Sequence, residues 1–210
     1  AADGAERFEF TGEIYKIPPT TIRPQARHKG DLTTRIKVAF TTEASAKLAA
    51  ENGLGQMFVS GDNLSDMTNQ VQRFNKIRHG LGLPPDQPTT LLWMYCAETS
   101  SEAEEGWEYF YNQLTAAQHH YFEWNNPGFE GIHGYEEYLK RQSADVGTAD
   151  ASYAARRGTQ PIGTPDEIID RIQAMQRAMS METVVVHVFY GGMPRDKAEK
   201  SLRLFAEKVL

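Results

Sequence analysis

Cysteine is nearly absent from this 210-residue chain: Cys96 stands alone. One thiol forms no internal disulfide, so the fold must rest on its core, and a reducing, cytoplasmic setting is expected. Positive charge is also short. The 22 Lys and Arg are outnumbered by 28 Asp and Glu, for a net charge of -6, which excludes the clustered basic groove that nucleic acid requires. No apolar run approaches the roughly 20 residues that span a bilayer, so no membrane partner is expected. Ala1 to Phe10 holds no apolar stretch, and no signal peptide is read there. Without such a signal, Asn63-Leu64-Ser65 reads as a chance glycosylation sequon. His119, His120 and His133 lack an HExxH spacing or paired cysteines, so no metal is expected.

What is present is a core-forming share of apolar residues, 40%, enough for one domain over residues 1–210. Its pattern is a rhythm of strand and helix. Phe8 to Arg23 alternates loosely around Thr11-Gly12 and reads as a hairpin or extended excursion. A strand is expected over Arg35 to Thr41, with Ile36, Val38 and Phe40 on one face. An alanine-rich helix follows over Glu43 to Asn52 and ends at Gly53. Gln56 to Ser60 reads as a strand, and Ser65 to His79 as a helix with Leu64, Met67, Val71 and Phe74 on its apolar stripe.

Leu91 to Cys96 is apolar on both faces, as a buried parallel strand should be. Ser101 to Gln118 carries Ala103, Trp107, Phe110 and Leu114 at helical spacing. Residues 119 to 162 break the rhythm with an irregular, aromatic insert. Thr164-Pro165-Asp166-Glu167 then has the form of a capping box, with Ile168, Ile172 and Met175 as the buried stripe behind it. Val184 to Tyr190 reads as the last strand, again apolar on both faces. Pro194 to Val209 closes the chain as a helix with Ala198, Leu202, Phe205 and Val209 inward. Four strands, each leading into a helix, imply a parallel α/β sheet joined by right-handed crossovers, with strands 35–41, 56–60, 90–96 and 183–190 as neighbours in that order.

One strand-to-helix junction carries chemistry. In Phe40-Thr41-Thr42-Glu43-Ala44-Ser45, the hydroxyls of Thr42 and Ser45 are three residues apart at a helix N-terminus, where free N–H groups and the dipole favour an anion. The same spacing also suits a simple helix cap at Thr42. Trp93 and Tyr95 approach the C-terminal end of their strand, and His187 lies within the last one. A hydrogen-bonded core role for His187 competes with a place in a pocket. Cys96 reads as buried and inert.

The run Ala39-Phe40-Thr41-Thr42-Glu43-Ala44-Ser45-Ala46, continuing to Gly53-Leu54-Gly55, resembles the strand-to-helix segment of luciferase-like, flavin-dependent monooxygenases. Tyr95 to Ala103, Pro161 to Ile168 and Gly192 to Val209 resemble further segments of that family, in the family's order. The resemblance implies the C-terminal half, strands five to eight, of a (β/α)8 TIM barrel. A full barrel needs eight strands and about 250 residues, so the N-terminal half, with its usual catalytic histidine, is expected to be missing, and no catalytic residue is assigned. Thr42 and Ser45 become contacts for the FMN phosphate, with Thr41 as their neighbour. Trp93, Tyr95 and His187 become substrate-pocket residues, and Tyr121, Trp124, Phe129 and Tyr135 of the insert could form a lid.

The implied activity is that of a flavoprotein oxidoreductase. Reduced FMN from a separate flavin reductase, together with O2, would oxygenate a small organic substrate. A deazaflavin (F420)-dependent oxidoreductase and a non-catalytic flavin-binding or interface protein are the alternatives. A half barrel has open strand edges, so the chain is expected to associate, and the complete protein to be a homo-oligomer.

Overall fold

The opening alternation folds as a hairpin. Strands β1 (Phe8–Thr11) and β2 (Lys16–Thr20) pair antiparallel, and the Gly12 N–H donates to the Tyr15 carbonyl to close the turn. The structure is a computed structural model that describes residues 6–24, 27, 32–59, 63–117, 128, 131–132 and 149–210. It divides into two compact units, Ala1–Gln56 with Phe74–Asp86, and Met57–Arg73 with Gln87–Leu210.

In the first unit, the strand expected over 35–41 is reduced to β3 (Lys37–Val38). The Ile36 N–H bonds back to the Thr33 carbonyl, which ties the start of the segment into a 3₁₀ turn, Thr33–Arg35. Ile36 is exposed, while Val38 and Phe40 still pack inward. Helix α1 (Glu43–Glu51) lays Ala46, Ala49 and Ala50 on Phe74; small side chains let the helix approach closely. Gly53, at φ +69°, ends it, and the Leu54 N–H returns to the Ala49 carbonyl. Strand β4 (Gly55–Val59) begins here, with Lys37 opposite Gly55 and Val38 opposite Gln56 in parallel register.

Helix α2 (Leu64–Gly80) starts at Asn63, whose Oδ1 accepts the Asp66 N–H at 3.0 Å and the Ser65 hydroxyl at 2.9 Å. The asparagine of the sequon thus serves as a helix cap. Met67 and Val71 pack in the second unit and Phe74 in the first.

In the second unit the rest of β4 runs parallel to β5 (Thr89–Trp93), and β5 runs parallel to β8 (Thr183–His187). The parallel neighbours follow as β3-β4-β5-β8, the order expected from the sequence. Val59, Leu91 and Val185 share one register row, Trp93 and His187 the next. Phe58, Leu92 and Val184 face the other way, onto Met67 and Val71 of α2 and Met175 and Met179 of α5 (Pro165–Met179). Helix α5 carries the full capping box: the Thr164 side chain accepts the Glu167 N–H, and Glu167 accepts the Thr164 N–H.

The last strand is not buried on both faces. Its burial alternates, and Val185, His187 and Phe189 are exposed. An apolar residue type does not say whether anything covers it.

Strand β5 ends at Trp93. After Met94 the chain continues as β6 (Tyr95–Cys96), which pairs with a short parallel strand β7 (Ile162–Gly163) that periodicity did not mark. Helix α3 (Ser100–Ala117) buries Ala103, Trp107, Phe110 and Leu114 as expected. Gly106 seats it, because a Cβ there would collide with the Tyr95 ring. Helix α4 (Ala149–Arg156) lies within the irregular stretch. The proposed lid residues Tyr121, Trp124, Phe129 and Tyr135, and His119, His120 and His133, fall outside the described residues.

Helix α6 (Arg195–Lys208) turns Ala198, Ser201 and Phe205 inward, whereas Leu202 is 41% exposed, contrary to the stripe read from sequence. A polar residue took the inward place because β6 needs it there: Ser201 Oγ accepts the Cys96 N–H at 2.8 Å. Among the described residues, no helix is long and apolar enough to cross a membrane.

Candidate functional site

In the first unit, the two segments Thr41-Thr42 and Glu43 to Ser45 form the junction where β3 gives way to α1. Thr42 has an extended backbone and is the N-cap; its Oγ1 accepts the Ser45 N–H at 3.2 Å and donates to Ser45 Oγ at 3.0 Å. The first intrahelical bond, from the Ala46 N–H to the Thr42 carbonyl, leaves the N–H groups of Glu43 and Ala44 without a partner inside the helix. Thr41 and Ser45 are exposed and Thr42 half-buried. The structure therefore brings Thr42 and Ser45 together, and Ser45 keeps a hydroxyl proton free to donate outward. Two backbone donors, one hydroxyl and the positive end of a nine-residue helix make a donor set that suits a phosphate group.

In the second unit, the strand ends bring Trp93 and His187 together. Their rings stack at 5.8 Å with an interplanar angle of 19°, and Trp93 rests in turn on Phe110 at 5.4 Å. His187 is exposed in this chain, on the sheet face opposite the helices. The strand parity that turns it away from α2 and α5 is the reason.

Tyr95 is turned elsewhere. Its ring is buried against α3, and its hydroxyl donates to Glu105 Oε2 at 3.0 Å. Burial first, and then that bond to a carboxylate, push the Tyr95 hydroxyl well above its ordinary range. The Tyr109 hydroxyl donates to Glu105 Oε1 at 2.8 Å, and Lys197 Nζ to Oε2 at 3.0 Å. The Lys197 bond, with Tyr109 next, holds the Glu105 carboxyl below its usual value. Cys96 is 2% exposed, and burial pushes its thiol up to about 11, which suits an inert core thiol.

A feature without a sequence signal is an open hollow of about 460 Å³ lined by Glu104, Trp107, Glu108, Tyr111, Asn112 and Tyr153. Arg157 lies over Trp107 at 5.1 Å and over Tyr153 at 5.6 Å. These residues come from helices α3 and α4, whose pairing no spacing announces. Among the described residues, no three His, Cys, Asp or Glu are placed to hold a metal ion.

The family model described as luciferase-like monooxygenase matches residues 2–181. The chain belongs to the luciferase-like monooxygenase family. No curated protein matches it. Among solved structures, it is similar to monooxygenase RslO1 from Streptomyces bottropensis, with 24% identity over 99% of this chain and 56% of that one, at a TM-score of 0.65. It is also similar to the coenzyme F420-dependent tetrahydromethanopterin reductase from Methanopyrus kandleri, with 15% identity over 99% and 58% and a TM-score of 0.61. A third is the oxygenating constituent of 3,6-diketocamphane monooxygenase from Pseudomonas putida in complex with FMN, with 16% identity over 97% and 57% and a TM-score of 0.58. The chain thus spans little more than half the length of these luciferase-like structures, and the likeness establishes the expected fold class, a parallel α/β part of a TIM barrel.

Proposed function

We propose that this chain forms the part of a flavin-dependent monooxygenase that holds the phosphate of reduced FMN. The observation that carries the reading is the cap at Thr42, which turns the one free hydroxyl proton, on Ser45, and two N–H groups without a helical partner toward the end of a parallel strand, where barrel enzymes bind their ligands. Thr42 and Ser45 would hold the phosphate, with Thr41 beside them, and so fix the cofactor's position. Reduced FMN, when bound, supplies the chemistry that activates O2 and oxygenates a small organic substrate. Trp93 and His187 are the pocket residues of this reading, and Tyr95 supports them from the core. A separate flavin reductase would supply the reduced cofactor, and the complete protein would act in the cytoplasm as a homo-oligomer.

A deazaflavin, F420, is the second reading. It rests on the similarity to the F420-dependent reductase, and a phosphate cradle serves both cofactors.

Titration of the protein with FMN, riboflavin and F420 tests the assignment. The pair Thr42→Ala and Ser45→Ala should weaken FMN about 10- to 100-fold, at about 1.4 kcal/mol per tenfold, and leave riboflavin nearly unchanged. If both flavins weaken equally, or neither does, Thr42 only caps α1 and the phosphate site is elsewhere.

A further inference from the structure

We propose that Tyr95, Glu105 and Tyr109 form a hydrogen-atom relay that carries stray oxidising equivalents out of the core, with one carboxylate bridging two phenols. The inference rests on the monooxygenase reading above, since O2 activation that runs uncoupled from substrate releases one-electron oxidants of the oxygen-radical class.

Each phenol has its own oxygen of the bridge. The Tyr95 hydroxyl donates to Glu105 Oε2 at 3.0 Å, and the Tyr109 hydroxyl to Oε1 at 2.8 Å. The two rings meet edge to face with centroids 6.1 Å apart. Lys197 Nζ, 3.0 Å from Oε2, helps to keep the carboxylate ionised at rest, so that both phenols donate to it. Burial first, and then the bond to Glu105, push both hydroxyls up, Tyr109 to about 12. Neither phenol ionises at neutral pH. Each therefore gives up an electron together with its proton, and Glu105 is the base in place to take that proton.

The neighbouring rings are poorer sites for a lost electron. Trp107 has two guanidinium groups over it, Arg157 at 5.1 Å and Arg171 at 5.8 Å, and these oppose a positive charge on the indole. The Tyr153 oxygen accepts from Arg157 at 2.7 Å, so a cation stands where a base is needed. The Tyr190 hydroxyl is buried and has no hydrogen-bond partner among the described residues, which leaves its proton no acceptor.

The relay runs in balanced steps. The oxidant takes one electron from Tyr95 by way of Trp93, which packs in the same cluster, and the Tyr95 proton passes to Oε2. The products are a neutral phenoxyl and a neutral glutamic acid. Tyr109 then gives its electron to Tyr95 and its proton to Oε1, while Oε2 returns its proton to Tyr95. Tyr95 is 2% exposed and Tyr109 half-buried, so the radical moves from a closed site to one that solvent reaches. There a soluble reductant of the thiol or ascorbate class supplies an electron, Oε1 returns the proton, and the resting pair is restored.

Flash-quench oxidation with a ruthenium(III) polypyridyl complex supplies a one-electron oxidant without any flavin, and electron paramagnetic resonance reads the tyrosyl radical. The parent should give a signal that ascorbate removes rapidly. Tyr109→Phe should keep the signal, now on Tyr95, and ascorbate should remove it more slowly. The double variant Tyr95→Phe, Tyr109→Phe should lose most of the signal, whereas Tyr15→Phe, at a tyrosine 71% exposed on the hairpin, should retain most of it. Glu105→Gln should lower the yield about tenfold, the size of one lost hydrogen bond to a charged group. A signal that survives in the double variant, one that vanishes in Tyr109→Phe, or a parental yield in Glu105→Gln overturns the proposal. The phenylalanine variants keep each ring, so they hold the test open even if Glu105→Gln fails to fold. FMN titration of the same samples reports on the monooxygenase reading separately: the relay can fail while FMN binds, and FMN binding can fail while the relay stands.

Discussion

The Lys37 ammonium lies 2.8 Å from Oδ1 of Asp86, whose other oxygen, Oδ2, accepts the Gln56 backbone N–H at 2.7 Å. One carboxylate thereby ties β3, the first residues of β4 and the proline-rich loop after α2. Asn75 completes the arrangement by accepting the Asp86 N–H at 2.7 Å. All of this happens at a site where the Lys37 and Asp86 side chains are only 15% and 7% exposed. Gly55 is part of the same construction, since a Cβ there would run into the Lys37 stem and the Asp86 carboxylate.

Asp86→Ala should therefore be costly. It removes the carboxylate from a mostly buried ammonium and leaves the buried Gln56 N–H without its acceptor, and a loss of about 3–5 kcal/mol is expected. Urea unfolding at neutral pH measures it; a loss under about 1 kcal/mol would mean that water replaces the carboxylate freely.

Thr90 is the opposite case. Its residue is fully buried on β5 and its Oγ1 has no hydrogen-bond partner among the described residues. Thr90→Val keeps the shape and removes the stranded hydroxyl, so stability should be unchanged or rise by up to about 1 kcal/mol. A clear loss in thermal denaturation would reveal a partner for that hydroxyl.

Acid should act through Glu105. Its carboxyl is held below the ordinary 4.5, first by Lys197 and then by Tyr109. A lowered carboxylate contributes stability that is fully present above the unfolded value and is lost as pH falls through the folded one. Melting temperature should thus drop below about pH 4.5 more steeply in the parent than in Glu105→Gln. The Lys197 pair is partly exposed, so its share is on the order of 0.5–1 kcal/mol. Identical acid slopes in the two proteins would exclude this group as a contributor.

Gly191 has two reasons to be glycine. Its φ is +59°, and a Cβ would overlap the Tyr109 carbonyl of α3. Gly191→Ala should cost about 2 kcal/mol or more, combining left-handed strain with a backbone collision. Gly192, at φ +78° with open space around it, should tolerate the same change at lower cost. The comparison of the two variants isolates the collision.

Helices were readable because one residue could be matched to one physical role. The capping box at Thr164 and Glu167, the Gly53 stop and the stripe Ala103-Trp107-Phe110-Leu114 all stand where the pattern places them. Parallel strand order was readable too, since the intervening helices leave few alternatives. What was not readable depends on distant partners. Two-residue β7 exists because β6 lies beside it. Ser201 faces inward because the Cys96 N–H needs an acceptor 105 residues away in sequence. The apolar run Val184 to Tyr190 looks alike on both faces, and only the register with β5 shows that His187 belongs to the uncovered one. At the candidate cofactor site, the sequence located Thr42 and Ser45, and the structure adds the mutual bond that leaves one hydroxyl proton free.

The break at Met94 gives the chain two partners in consecutive steps. The Met94 N–H donates to the His187 carbonyl, and the next N–H, of Tyr95, donates to the Pro161 carbonyl. The Ala97 N–H then goes to Gly163. Amide protection along these few residues is therefore held by two separate latches. Loosening of 161–163 releases the Tyr95 and Ala97 protons to solvent exchange while the Met94 proton stays locked to β8, so a short excursion around β7 needs no parting of β5 from β8.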